Sequence, residues 1–153
     1  MCGDRPSLLP FVDGFAPRAI ALLVVLLISG LIGLVLRRRA GTARPVSDGA
    51  VLAAADLGAP LGDRATFLQF TSPACSPCRS VRRVLGDVVT ADPGLAHVDI
   101  DATERLDLAR RLDIMRTPTV LVLDPDGRVV RRISGALNAE QARTAVPEQL
   151  RSR

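Results

Sequence analysis

The sequence predicts an α/β fold in which a mixed central sheet is flanked by helices and follows an N-terminal transmembrane helix. Three observations carry this: an uncharged run of 18 residues over 19–36, alternating strand-like and helix-like segments from residue 66 onward, and a hairpin over 119–133. The 153 residues suffice for one domain of about 100 residues and an appendage. The chain accordingly divides into a short N-terminal segment over 1–18, a helix over 19–36, a basic juxtamembrane linker over 37–48 and a folded domain over 49–153.

At 1.5 Å per residue the apolar run makes about 27 Å of helix, against a hydrocarbon core of about 30 Å. A cleaved signal peptide would be similarly apolar. Here, however, Arg37, Arg38 and Arg39 follow as a stop-transfer pattern, with no small-x-small cleavage site before them, so the run reads as a single-pass anchor in the cell membrane. Arg37, Arg38, Arg39 and Arg44 follow the span and only Arg5 and Arg18 precede it. Positive-inside bias therefore places the domain in the cytoplasm, the alternative being an extracytoplasmic domain. Gly30, Gly33 and the small pair Ser29 and Gly33 would let two such helices pack as a homodimer. Residues 41–48, with Pro45 and small polar side chains, read as a short linker.

Within the domain, 66–71 is β-branched and aromatic and reads as a buried strand, with Ser72, Pro73 and Ala74 as a turn. Val81, Val84, Leu85, Val88 and Val89 then recur at helical spacing. Residues 96–100 alternate as a strand, and Thr103 caps a helix through residue 112. The apolar run 119–123 is joined to a strand over 129–133 by Asp124, Pro125, Asp126 and Gly127, in which Pro presets φ and Gly accepts positive φ. Asn138 with Gln141 forms a capping box for a last helix, which Pro147 kinks or ends.

All 20 basic residues are Arg, and there is no Trp or Tyr. Residues 45–153 hold 14 Arg against 14 acidic residues, whereas 1–44 hold six Arg against two Asp, so the net charge of +4 lies entirely in the N-terminal segment. A basic face with interleaved aromatics is missing, which excludes nucleic acid as a partner.

The chemistry concentrates at Cys75, Ser76, Pro77 and Cys78, two thiols three positions apart with Pro77 just inside a helix start. The free N–H groups and dipole of a first helical turn stabilise a thiolate at Cys75. Arg79, Arg82 and Arg83 add positive charge, lowering the Cys75 pKa from about 8.5 towards about 7. Cys75 is then the nucleophile. Cys78, one turn deeper, is the resolving thiol that attacks the mixed disulfide Cys75 forms. A structural zinc site needs four ligands, and the other candidates are only His97 and Cys2, which lies beyond the apolar run. A purely structural disulfide closing so small a loop would stabilise weakly. His97 reads as structural or surface, Asp99 and Asp101 as a strand end and helix entry, and Cys2 as a free thiol that ends no lipoprotein-type signal. No metal site is expected.

The dithiol at the first helix, Thr117-Pro118-Thr119 entering the hairpin, and Ser134 to Leu137 before the last helix together resemble the thioredoxin family over roughly residues 60–150. The resemblance implies a thioredoxin-like fold with Pro118 as a cis-proline facing the dithiol. It also implies that Thr117 presents its backbone to the partner's extended chain, with Ser76 and Pro77 on the same docking surface. Protein disulfides and dithiols are the implied substrates, and no cofactor is implied beyond the redox-active disulfide Cys75–Cys78. Two positions depart from the family pattern. Ala74 stands where a Trp usually precedes the first cysteine, and Gln69 where a buried Asp usually takes the proton of the second thiol. An amide cannot titrate. Three functions therefore stand open: a membrane-tethered thiol–disulfide oxidoreductase, a binding or redox-sensing module that does not turn over, and a handler of a soft ion such as Cu(I).

Overall fold

The computed structural model describes residues 15–39, 43–45 and 49–151, and the chain divides into two compact units after Arg39. The first holds α1 (Phe15–Arg39), 25 residues and so about 37 Å long at 1.5 Å per residue. Its stretch Arg18–Val35 is long and apolar enough to cross a membrane, and none of that stretch is buried within the chain. A Cβ added at Gly30 or Gly33 would meet nothing within 4 Å outside the helix's own neighbouring backbone. Cys2 and Arg5 lie outside the described residues.

The second unit runs β1 (Ala43–Pro45), α2 (Ala54–Leu57), β2 (Ala65–Thr71), α3 (Cys78–Thr90), β3 (Leu95–Asp101), α4 (Leu106–Arg111), β4 (Thr119–Leu123), β5 (Val129–Ser134), α5 (Ala139–Ala145) and α6 (Glu148–Arg151). The sheet order is β1-β5-β4-β2-β3. Only β2 and β3 pair in parallel, because α3 carries the chain back between them; the other pairs are antiparallel. The mixed sheet flanked by helices is the fold class the sequence predicts.

Both faces of the sheet are apolar. Alternation along β2 sends Phe67 to one core with Val81, Leu85 and Val88 of α3, and Leu68 and Phe70 to the other with Leu108 and Leu112. Val81, Leu85 and Val88 recur at three and four residues, so α3 buries one stripe, each such side chain contributing about 1.5–3 kcal/mol. The turn after β4 forms as expected: Gly127 N–H donates to the Asp124 carbonyl at 2.9 Å, with Gly127 at φ 78°. Asn138 and Gln141 exchange side-chain to backbone hydrogen bonds of 2.8 and 2.9 Å, and α5 stops just before Pro147.

The structure corrects the sequence reading at three places. First, the stretch read as a linker contains β1, which pairs antiparallel with β5. A three-residue edge strand is too short for period-two alternation to show, and its Pro45 is tolerated because an edge leaves one side unpaired. Second, Thr103 does not cap α4. The Asp101 carboxylate accepts from both the Thr103 N–H and its hydroxyl, at 2.8 and 2.7 Å, forming a turn that delays the helix to Leu106. Third, Pro77 sits at the N-cap of α3, outside its first turn. The short helix α2 is an addition to the sequence reading and not a correction of it.

Candidate active site: the Cys75–Cys78 pair

β2 ends at Thr71, and the turn that follows is closed by the Cys75 N–H donating to the Ser72 carbonyl at 3.0 Å. The Cys75 carbonyl in turn accepts from the Cys78 N–H at 3.3 Å, so the chain enters α3 with its two cysteines facing each other. They are joined as a disulfide with a Cα–Cα distance of 5.4 Å. Cys75 is half-buried and precedes the helix; Cys78 is its first residue and only 3% exposed. Ser76, Pro77 and Arg79 are exposed around them.

The loop before β4 lies against this turn. Ser72 Oγ and Thr117 Oγ1 share a hydrogen bond of 2.9 Å, the Thr117–Pro118 peptide is cis, and the Pro118 carbonyl accepts from the Gly135 N–H at 2.8 Å. The structure thus brings Thr117 to the turn that holds the cysteines, although some forty residues separate them in sequence. Beside Cys75 opens a groove of about 420 Å³ lined by Ser72, Ala74, Arg79, Arg82 and Asp101 among others. Its walls are polar, and Ala74 adds no aromatic surface.

Behind the pair lies a network that the sequence reading did not assemble. Gln69, fully buried on β2, donates from Nε2 to the Cys78 carbonyl at 3.0 Å and meets His97 Nε2 at 3.1 Å through its Oε1. Asp99 forms an ion pair with Arg82 of α3, so one of the three arginines expected to act on Cys75 is already engaged. Burial holds the His97 imidazole below its ordinary pKa of 6.5; Asp99 opposes this shift and Arg82 adds to it. The signal for this cluster was present in the sequence. Gln69, His97 and Asp99 have the same parity on adjacent strands, but only the parallel β2–β3 register shows that they share a face. Asp101 is engaged in the turn with Thr103, whose hydrogen bonds hold its carboxyl below the usual range.

The family model of the thioredoxin-like domain matches residues 59–149. The chain belongs to the thioredoxin family. Among curated thioredoxins, it is 31% identical over 84 residues to putative thioredoxin H10 of Arabidopsis thaliana, covering 54% of each chain. Thioredoxin of Mycobacterium bovis is 32% identical over 77 residues, 48% of this chain and 64% of that one. The chain therefore spans between about half and two thirds of the length of these relatives. The crystal structure of chloroplastic thioredoxin z aligns with a TM-score of 0.51 at 28% identity, covering 60% of this chain and 81% of that chain. A thioredoxin-like domain whose CxxC pair stands at disulfide distance supports a thiol–disulfide redox function.

Proposed function

We propose that this protein is a membrane-tethered thiol–disulfide oxidoreductase of protein substrates, with Cys75 as nucleophile and Cys78 as resolving thiol. The unequal exposure of the two cysteines supports the assignment: Cys75 is half-buried in its turn and open to a partner, whereas Cys78 is buried. In the dithiol state, the Cys75 thiolate attacks one sulfur of a partner disulfide, and the partner's other sulfur leaves as a thiolate and takes up a proton. Cys78 then loses its proton and attacks Cys75 Sγ, which forms the Cys75–Cys78 bond and releases the partner's second thiolate. The partner gains two electrons and two protons, and a dithiol donor restores the pair. Thr117 and Pro118, with Ser76 and Pro77, offer the docking surface for the partner's extended chain, and Arg79 adds positive charge beside Cys75. The span within α1 supplies the tether, and the arginine bias following it favours a cytoplasmic domain.

The test uses the full chain in detergent micelles, reducing a test protein disulfide with a dithiol as donor. The parent should turn over and Cys75→Ser should be inactive. Cys78→Ser should react once and remain as a mixed disulfide visible by mass. Turnover by Cys78→Ser at the parent rate would refute the roles, and no turnover by the parent would refute the enzyme. Reporter fusions at the C-terminus test the side of the membrane.

A further inference from the structure

Donor and acceptor chemistry fixes the direction of every bond in the chain Cys78–Gln69–His97. The Cys78 carbonyl only accepts, so the Gln69 amide nitrogen must face it, at 3.0 Å. Gln69 Oε1 is then turned to His97, and because an amide oxygen only accepts, His97 Nε2 must carry the proton across the 3.1 Å contact. In a neutral imidazole this leaves Nδ1 as the basic nitrogen. His97 thus takes up a proton at Nδ1 without breaking its bond to Gln69.

The surroundings of His97 suit a group that changes charge. Asp99 lies two residues along the same strand face, engaged by Arg82 from α3, and these are the charged groups that act on the imidazole. Asp99 Oδ1 is buried without a hydrogen-bond partner among the described residues, and the Asp99 charge favours a protonated His97. At the other end of the chain of bonds is the first residue of α3, whose sulfur is half of the disulfide.

We propose that His97 is a positioning residue that couples proton uptake to the redox state of the Cys75–Cys78 pair, acting through Gln69 on Cys78. The inference rests on the proposed redox use of that pair. When a partner dithiol reduces it, the Cys75–Cys78 bond breaks and the partner's two thiols join as a disulfide, giving up two electrons and two protons. One proton goes to the Cys78 sulfur; the second is shared between solvent and His97 Nδ1, whose proton affinity rises, while Cys75 keeps its negative charge as thiolate. Coupling is reciprocal: a charged His97 favours the thiolate as much as the thiolate favours a charged His97. The buried amide at residue 69 then has a function that does not require it to titrate. It holds the carbonyl of the resolving cysteine and the imidazole in one line.

His97 is the only histidine, so a chain carrying 13C-labelled histidine in detergent micelles gives a single imidazole to titrate by NMR. The His97 pKa should be higher in the dithiol form than in the disulfide form by about half a unit or more, the scale on which one added negative charge acts through a partly screened interior. Equal values in the two forms would overturn the proposal. Gln69→Leu, which cuts the bonds at both ends, should shrink the difference; an undiminished difference would remove Gln69 from the coupling. Should that variant fail to fold, His97→Gln provides the second measurement, since it keeps a donor towards Gln69 and loses the charge. The resolving rate of the parent should change slope as the pH falls through the His97 titration, and His97→Gln should lose that change; a slope change kept in His97→Gln would overturn the proposal. The titration needs only chemical reduction, so its outcome is separate from whether the chain turns over a protein disulfide.

Discussion

Replacing Gln69 by Asp perturbs stability and chemistry in opposite directions, and the structure sets the size of the first effect. The side chain is fully buried and bonded at both ends, to the Cys78 carbonyl at 3.0 Å and to His97 at 3.1 Å. Aspartate is one methylene shorter, which removes about 0.8 kcal/mol of burial. When ionised it has no donor, so the buried Cys78 carbonyl loses its side-chain partner, at a cost of about 1–3 kcal/mol. Burial also disfavours the charged form, although His97 offers it a donor. The sum is a loss of roughly 2–4 kcal/mol, a large share of the 5–15 kcal/mol that holds a typical domain, and a fall in Tm of roughly 10–20 °C. Against this, a carboxylate behind Cys78 gives its proton an acceptor during resolution, and the mixed disulfide should decay about tenfold faster near neutral pH. Stopped-flow decay of the mixed disulfide and denaturant unfolding on the same preparation read the two effects. Unchanged decay together with the expected loss of stability would refute the reasoning that the amide limits resolution.

Leu85→Ala empties a fully buried position between α3 and the sheet and should cost about 2–5 kcal/mol, read as a lower denaturant midpoint; a loss below about 1 kcal/mol would mean that the core closes over the gap. Gly127→Ala places a Cβ on the Leu52 carbonyl at a residue with φ 78°, and should cost more than about 1 kcal/mol by the same measurement. Because His97 is held below its ordinary pKa, the unfolded chain binds a proton first as the pH drops: the His97 contribution to stability is present above pH 6.5 and is lost as pH falls from there through the folded value. Unfolding midpoints across that range should fall in the parent and flatten in His97→Gln, and parallel curves would refute the sign.

The parts of the fold set by local chemistry were legible in the sequence. The hairpin over β4 and β5 follows from a turn in which each residue has a steric reason, and α5 from a capping box whose two bonds both form. The register of β2 against β3 was not legible, because it depends on how α3 returns the chain across the sheet. With that register missing, His97 reads as an isolated histidine when in fact it lies within hydrogen-bond reach of Gln69. Thr103 was misjudged for a related reason: it has the composition of a cap, but the Asp101 carboxylate two residues earlier competes for the same hydroxyl and wins. Edge strand β1 was hidden by its brevity.

In the proposed thiol–disulfide exchange, the two departures from the thioredoxin pattern would act on different steps and leave different parts of the site intact. Ala74 is exposed beside the groove next to Cys75, where Arg79 and Asp101 supply polar walls, so this side of the site offers a partner charge and hydrogen bonding more than apolar contact. The proposed docking loop is tied to the cysteine turn by the Ser72–Thr117 hydrogen bond, which does not involve residue 74. Gln69 is fully buried and bonded to the Cys78 carbonyl, so among the proposed steps its change bears on resolution and not on capture at the exposed mouth. Because one substitution lies at the exposed mouth and the other in the core, their effects should add, as they do for sites without shared partners. If the proposed oxidoreductase turns over slowly, capture, resolution or both can limit it, and the ratio of mixed-disulfide formation to its decay separates the two causes within one experiment.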